Sequence, residues 1–207
     1  SLAIINNGRI EWAKGYGVKI NDSNDTVTTT TTFQAASISK LLTAAATLHL
    51  AEKELINLEM PINMQLKTWK LPENQYTEKR PVNVEMLLTH TGGIIGFGSK
   101  GYLVSEKLPT LKQILNGVKP ANTPPIRVTY TPGTRWLYSN GGYLILQQLL
   151  IDATDLPFPE LMDKIILKPL GMRNSTFKQP PPQKILENTA AGHKPDGTPI
   201  KEKWRIY

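Results

Sequence analysis

The stretch Phe33-Gln34-Ala35-Ala36-Ser37-Ile38-Ser39-Lys40 runs without a break into Leu41-Leu42-Thr43-Ala44-Ala45-Ala46-Thr47-Leu48-His49-Leu50. It places a serine at the start of an apolar-periodic helix with a lysine one turn in. Residues three apart share a helix face, so the lysine amine can reach the hydroxyl. A serine hydroxyl is a poor nucleophile at neutral pH and needs an adjacent proton acceptor. The unpaired N–H groups of a helix N-terminus add a field that favours developing negative charge. The lysine has to be neutral for part of a catalytic cycle, which desolvation and nearby positive charge promote by lowering its pKa. The plainer reading of Ser37 is a helix-capping serine.

Ser175-Thr176-Phe177-Lys178 repeats the spacing and serves as a control. It runs into Gln179-Pro180-Pro181-Pro182, where prolines remove backbone donors and disfavour helical geometry before them. Far along the chain stands Tyr138-Ser139-Asn140, the only Tyr-x-Asn in the sequence. It follows Tyr130-Thr131-Pro132-Gly133-Thr134-Arg135-Trp136 and precedes the helix-like run Gly142 to Leu150. A phenol both donates and accepts hydrogen bonds, and a neighbouring ammonium can lower its pKa towards general-base chemistry.

With these residues in place, the chain resembles the serine β-lactamase and penicillin-binding-protein superfamily, within it the class C β-lactamase, D-aminopeptidase and esterase branch. Segments in family order carry the resemblance: Phe33 to Lys40, Leu87-Leu88-Thr89-His90-Thr91-Gly92-Gly93, Tyr130 to Asn140, and Pro169-Leu170-Gly171-Met172. The resemblance implies that Ser37 is the acylated nucleophile and Lys40 its proton acceptor or electrostatic partner. It sets Tyr138 between Ser37 and the leaving group, and has Asn140 hold Lys40 and offer its amide to substrate. The implied activity is that of a serine hydrolase forming an acyl-enzyme from a β-lactam, a D-amino-acid peptide or an ester, with no cofactor. The competing reading is a non-catalytic relative that keeps the fold as a binding or scaffolding module. Family resemblance also favours a periplasmic or secreted setting.

The implied fold is α+β, an αβα sandwich with an antiparallel sheet plus a helical region. Residues 1–60 and about 186–207 would form the sheet side and 61–185 the helical region, with helices expected at Val82 to Leu88, Leu108 to Leu115, Gly142 to Ala153 and Phe158 to Leu167. The family's third motif, Lys-Thr-Gly or His-x-Gly on a sheet strand, has no counterpart here. His90-Thr91-Gly92 matches its letters but belongs to the earlier family segment and reads as a structural turn. That strand would carry one oxyanion donor, the Ser37 N–H being the other, and losing one such donor costs about a hundred- to a thousandfold. The expectation is a partial catalytic domain whose chain stops before the third motif and starts directly on sheet strands, with no basic, apolar leader.

Leu2 to Ile5 and Ile10 to Val18 are strand-like, and the Asn6-Asn7-Gly8-Arg9 between them signals a tight hairpin. The β-branched run Thr28 to Thr32 favours extended chain and reads as a packed edge or loop. At 207 residues and 40% hydrophobic content the chain can bury a sizeable core, and no apolar run approaches a bilayer span. The absence of cysteine excludes disulfides and thiolate chemistry.

Other signals take structural readings. Gly96-Phe97-Gly98-Ser99-Lys100-Gly101 fits G-x-G-x-x-G, but without a strand before it or a helix after it. No G-x-S-x-G elbow occurs. His49, His90 and His193 lack ligand spacing, so no metal is expected. His49 reads as a partly exposed helix residue and His90 as a structural hydrogen-bonding group. The net charge of +7 comes from dispersed lysines and arginines, without a basic stripe or stacking aromatics. It reads as a solvated surface suited to a carboxylate-bearing small molecule or peptide, and nucleic acid is not an expected partner.

Overall fold

The computed structural model describes residues 1–95, 98, 100–200 and 202–206. Residues 96, 97 and 99 of the G-x-G-x-x-G segment therefore lie outside the described residues. The chain separates into two compact units. One comprises Ser1–Ala36, Gly101–Glu106 and Met172–Tyr207; the other comprises Ser37–Lys100 and Lys107–Gly171.

The first unit begins with the expected hairpin, β1 (Leu2–Asn6) antiparallel to β2 (Arg9–Lys14). Asn7 and Gly8 turn at φ +47° and +73°, the left-handed pair that matches strand twist in a tight hairpin. Strand β2 stops at Lys14, short of the expected Val18. A Cβ on Gly15 would lie 2.1 Å from the Val27 carbonyl oxygen, so the next backbone approaches too closely for a strand with side chains. The threonine run is a hydrogen-bonded turn: Thr28 N–H donates to Thr31 Oγ1 at 2.9 Å, and Thr32 Oγ1 lies 2.7 Å from Thr189 Oγ1. A small apolar cluster of Tyr102, Trp204 and Ile206 closes on Val104 and Leu186.

The second unit is helical, built around α1 (Ser39–Glu52), α2 (Ile62–Gln65), α3 (Gln75–Lys79), α4 (Val84–Leu88), α5 (Leu111–Asn116), α6 (Asn140–Thr154) and α7 (Phe158–Met162). Helix α7 continues through a π-helical turn, Asp163–Leu167. Helix α6 is the core: Ile145, Leu146, Leu149 and Leu150 are buried at successive turns, and α1, α4, α5 and α7 pack around it. Side-chain caps set several starts. Asn74 and Thr110 make capping boxes for α3 and α5, and Ser139 Oγ accepts the Gly142 N–H to open α6. Helices α2 and α3 were not legible because four or five residues are too few for a helical period to show. The same holds in the first unit for α8 (Gln183–Glu187), which Pro182 precedes at its N-cap, a position that needs no N–H.

Helix α1 departs from a simple amphipathic pattern. Its buried face is Thr43, Ala46, Thr47 and Leu50, while Leu41 and Leu48 are exposed. The threonines fit because Thr43 Oγ1 donates to the Ser39 carbonyl and Thr47 Oγ1 to the Thr43 carbonyl, leaving methyl groups for packing.

One buried charge ties α6 to the loop before α3. Asp152, 2% exposed, accepts from Lys67 N–H, Thr68 N–H, Thr68 Oγ1 and Gln148 Nε2 at 2.7 to 3.1 Å. Burial alone pushes its carboxyl pKa up, but the hydrogen bonds to Thr68, Lys67 and Gln148 outweigh this and hold it below the usual value. Asp152→Asn replaces an acceptor by a donor facing donors. We expect a loss of about 3 kcal/mol in urea unfolding at pH 7. A depressed folded-state pKa contributes stability above the unfolded carboxylate pKa that is lost as pH falls through the folded one. The gap between wild type and D152N should therefore narrow below about pH 4; a constant gap would place the stabilisation elsewhere.

Candidate active site

Ser37 lies in a 3-10 turn, Ala36–Ile38, immediately before α1, rather than in the α-helix itself. Helix α1 has no side-chain cap, so the capping role is not the one Ser37 plays. Its Oγ instead accepts from Lys40 Nζ at 3.2 Å and from Tyr138 OH at 2.8 Å. The control pair is not built this way. Ser175 and Lys178 sit in irregular chain, where the Lys178 N–H donates to Thr176 Oγ1 at 3.1 Å.

Lys40 is half-buried on the first turn of α1. Its ammonium lies 5.0 Å from the Tyr138 ring centroid and 5.7 Å from that of Tyr143. Two aromatic faces thus hold the charge near Ser37 by cation–π attraction. Tyr143, on the first turn of α6, was not singled out from the sequence. Its position three residues after Asn140, on the same helix face, was the available signal. The Tyr143 hydroxyl donates to the Leu88 carbonyl at 3.2 Å, and burial followed by the neighbouring Tyr138 raises its pKa.

Tyr138 titrates in the opposite direction. Burial works to raise its pKa, but the interactions with Lys40 and the Ser37 hydroxyl, together with the Lys40 charge, lower it overall. The phenol next to the serine is thus biased towards its anion. Asn140 follows two residues on, half-buried as the first residue of α6. The structure therefore brings Ser37, Lys40 and Tyr138 into mutual contact range and sets Asn140 at the adjoining helix start.

His90 takes the structural position expected of it, in the turn after α4, at φ +60°. Gly93 follows at φ +72°, where a Cβ would meet the Tyr130 carbonyl oxygen at 2.2 Å. Gly93 O also accepts the N–H groups of Thr129 and Tyr130 at 2.8 and 3.3 Å, bringing the Tyr138-bearing segment alongside. His49 is a half-buried residue of α1 near Glu52, and His193 Nε2 accepts the Asn21 N–H in the first unit. Among the described residues no group of His, Cys, Asp or Glu side chains is arranged to hold a metal ion, and no helix is long and apolar enough to cross a membrane.

The family model for beta-lactamase matches residues 1–205, and the chain belongs to that family. "Protein flp" of Staphylococcus aureus is 26% identical over 204 residues, which are 98% of this chain and 39% of that protein. A "Beta-lactamase" of Pseudomonas fluorescens is 27% identical over 201 residues, 97% of this chain and 51% of that one. Among solved structures, the octameric penicillin-binding protein homologue from Pyrococcus abyssi gives a TM-score of 0.75 at 26% identity. The likeness covers 96% of this chain and 45% of that one. The chain thus spans about half or less of the length of the curated relatives it matches. Its fold is β-lactamase/transpeptidase-like, mixing helices with a small antiparallel sheet.

The lowered Tyr138 pKa is open to direct measurement. In a phenolate absorbance titration of the chain, with its 7 tyrosines, one should ionise below the ordinary value of about 10. That early component should vanish in Tyr138→Phe and move upward in Lys40→Ala. An early component that survives Y138F would belong to another tyrosine.

Proposed function

We propose that this chain carries the acyl-transfer machinery of a serine hydrolase, with Ser37 as nucleophile, Tyr138 as its proton acceptor and Lys40 as the ammonium that favours the phenolate. The observation that supports the reading is the Ser37 hydroxyl oxygen hydrogen-bonded at once to Lys40 Nζ and Tyr138 OH. In the acylation step the Tyr138 phenolate takes the Ser37 proton as Oγ bonds to the substrate carbonyl carbon, and the carbonyl π pair moves onto oxygen. Collapse of that tetrahedral species breaks the bond to the leaving amine or alkoxide, which takes the proton back from Tyr138. Water then attacks the acyl-enzyme by the same relay. Asn140 contributes its amide to the substrate's acyl side. A β-lactam, a D-amino-acid peptide or an ester meets these requirements. The Pseudomonas fluorescens relative named beta-lactamase and the penicillin-binding protein homologue of Pyrococcus abyssi favour the first.

A fluorescent fluorophosphonate or penicillin should form an adduct that peptide mass spectrometry maps to Ser37. Lys40→Ala and Tyr138→Phe should each slow labelling by about a hundredfold or more. The double variant should be little slower than the worse single one, because groups acting as a unit are not additive. An adduct on Ser39 or Ser175 would overturn the assignment of the nucleophile, and multiplying losses would overturn the shared relay. A folded chain that forms no adduct would move the reading to a non-catalytic binding module.

A further inference from the structure

We infer that His90 is a positioning residue for the Tyr138 phenol, clamping the backbone on both sides of it. Its carbonyl accepts the Leu137 N–H at 2.8 Å and its Nδ1 accepts the Ser139 N–H at 3.1 Å. Leu137 and Ser139 flank Tyr138, so one residue holds the Trp136–Leu137 and Tyr138–Ser139 peptide units on the two sides of the phenol. The ring adds a third constraint, with its centroid 4.6 Å from that of Tyr138, 5.2 Å from Tyr143 and 6.0 Å from Trp136.

The geometry explains why this turn position carries an imidazole. At φ +60° the backbone is in the left-handed region, where histidine and asparagine are enriched over other side chains. A ring acceptor there reaches across to Ser139, the cap of α6, whose Oγ accepts the Gly142 N–H. Accepting at Nδ1 fixes the neutral tautomer, with the proton on Nε2. Protonation would set an N–H against the Ser139 N–H and open the clamp. The titratable groups facing the ring are Lys40 from α1, Tyr138 from its own segment and Tyr143 from α6. Burial, and then the Lys40 charge, hold the imidazole pKa below its ordinary value, which keeps the acceptor form in place at neutral pH.

The inference rests on the Ser37 acyl-transfer reading for its consequence on rate, and its test separates the two. Wild type, His90→Phe and His90→Asn are compared for the saturating rate of fluorophosphonate labelling at Ser37, for its half-saturating concentration, and for the Tyr138 titration. Phe keeps a ring and loses the acceptor. We expect its saturating rate to fall about 10- to 100-fold with the half-saturating concentration little changed, since misplacement of a reacting group acts on the chemical step. The Tyr138 ionisation should move back towards its ordinary value. Asn keeps an acceptor, tolerates the left-handed backbone and does not titrate. It should retain the wild-type rate within about threefold and lack the additional steepening that His90 protonation is expected to give the wild-type acid limb below about pH 6.5. In wild type, long-range nitrogen–proton NMR correlations should place the His90 proton on Nε2. Wild-type rate, pH profile and Tyr138 titration in H90F would overturn the positioning role, as would a proton on Nδ1. If H90F does not fold, an unchanged acid limb in H90N overturns it instead. Absence of a wild-type adduct at Ser37 would sink the acyl-transfer reading, and the Tyr138 titration and the NMR tautomer would still decide the role of His90.

Discussion

The hydrogen bond of 2.8 Å between the Tyr138 hydroxyl and Ser37 Oγ joins positions 101 residues apart, and the arrangement of the helical unit converges on it. Neither group could hold the other alone. Ser37 is presented by a short 3-10 turn, and Tyr138 stands in irregular chain ahead of α6. The contact exists because α1 and α4 both pack on the buried face of α6, which fixes the start of each helix relative to the others. Close approach in the core makes that packing rigid. Gly141 at the start of α6 leaves room for Ile94 and Ile126, which a Cβ would meet at 3.1 and 3.4 Å.

Electrostatics then gives the contact its chemical character. A lysine amid aromatic faces, with Tyr138 and Tyr143 on either side, is held by attraction to the rings as well as by its bond to serine. Its charge helps lower the Tyr138 pKa, while burial and then Tyr138 itself raise that of Tyr143. Tyr138, exposed and in direct interaction with Lys40 and Ser37, moves towards ionisation; Tyr143, more buried and committed to the Leu88 carbonyl, moves away from it. Two identical side chains thus take opposite proton affinities from their surroundings. The same charge disfavours a second cation on the neighbouring imidazole.

Much was legible in the residues themselves. The Asn7-Gly8 turn, the long α1 and α6, the α4 segment and the unsuitability of Ser175 to Lys178 each follow from local rules, in which a few neighbouring residues decide the outcome. Other features needed the folded chain. Strand β2 ends at Lys14 because Val27 passes over Gly15, and the buried face of α1 includes threonines because their hydroxyls return to the helix backbone. Asp152 gave no signal at all. Its role depends on donors from residues 67 and 68, a loop far away in sequence.

The sequence by itself determined which residue types were available and in what order: a serine and a lysine at one helix turn's spacing, and a single Tyr-x-Asn before a second helix. These are local facts, since helical periodicity and turn chemistry act over a few residues. Only the tertiary structure decided that the phenol reaches the serine, that Lys40 lies among tyrosine rings, and that His90 grips the chain on both sides of Tyr138. Distances between segments separated by a hundred residues are set by how buried helix faces fit together. That fit is a property of the packed core as a whole and is written in no single stretch of the chain.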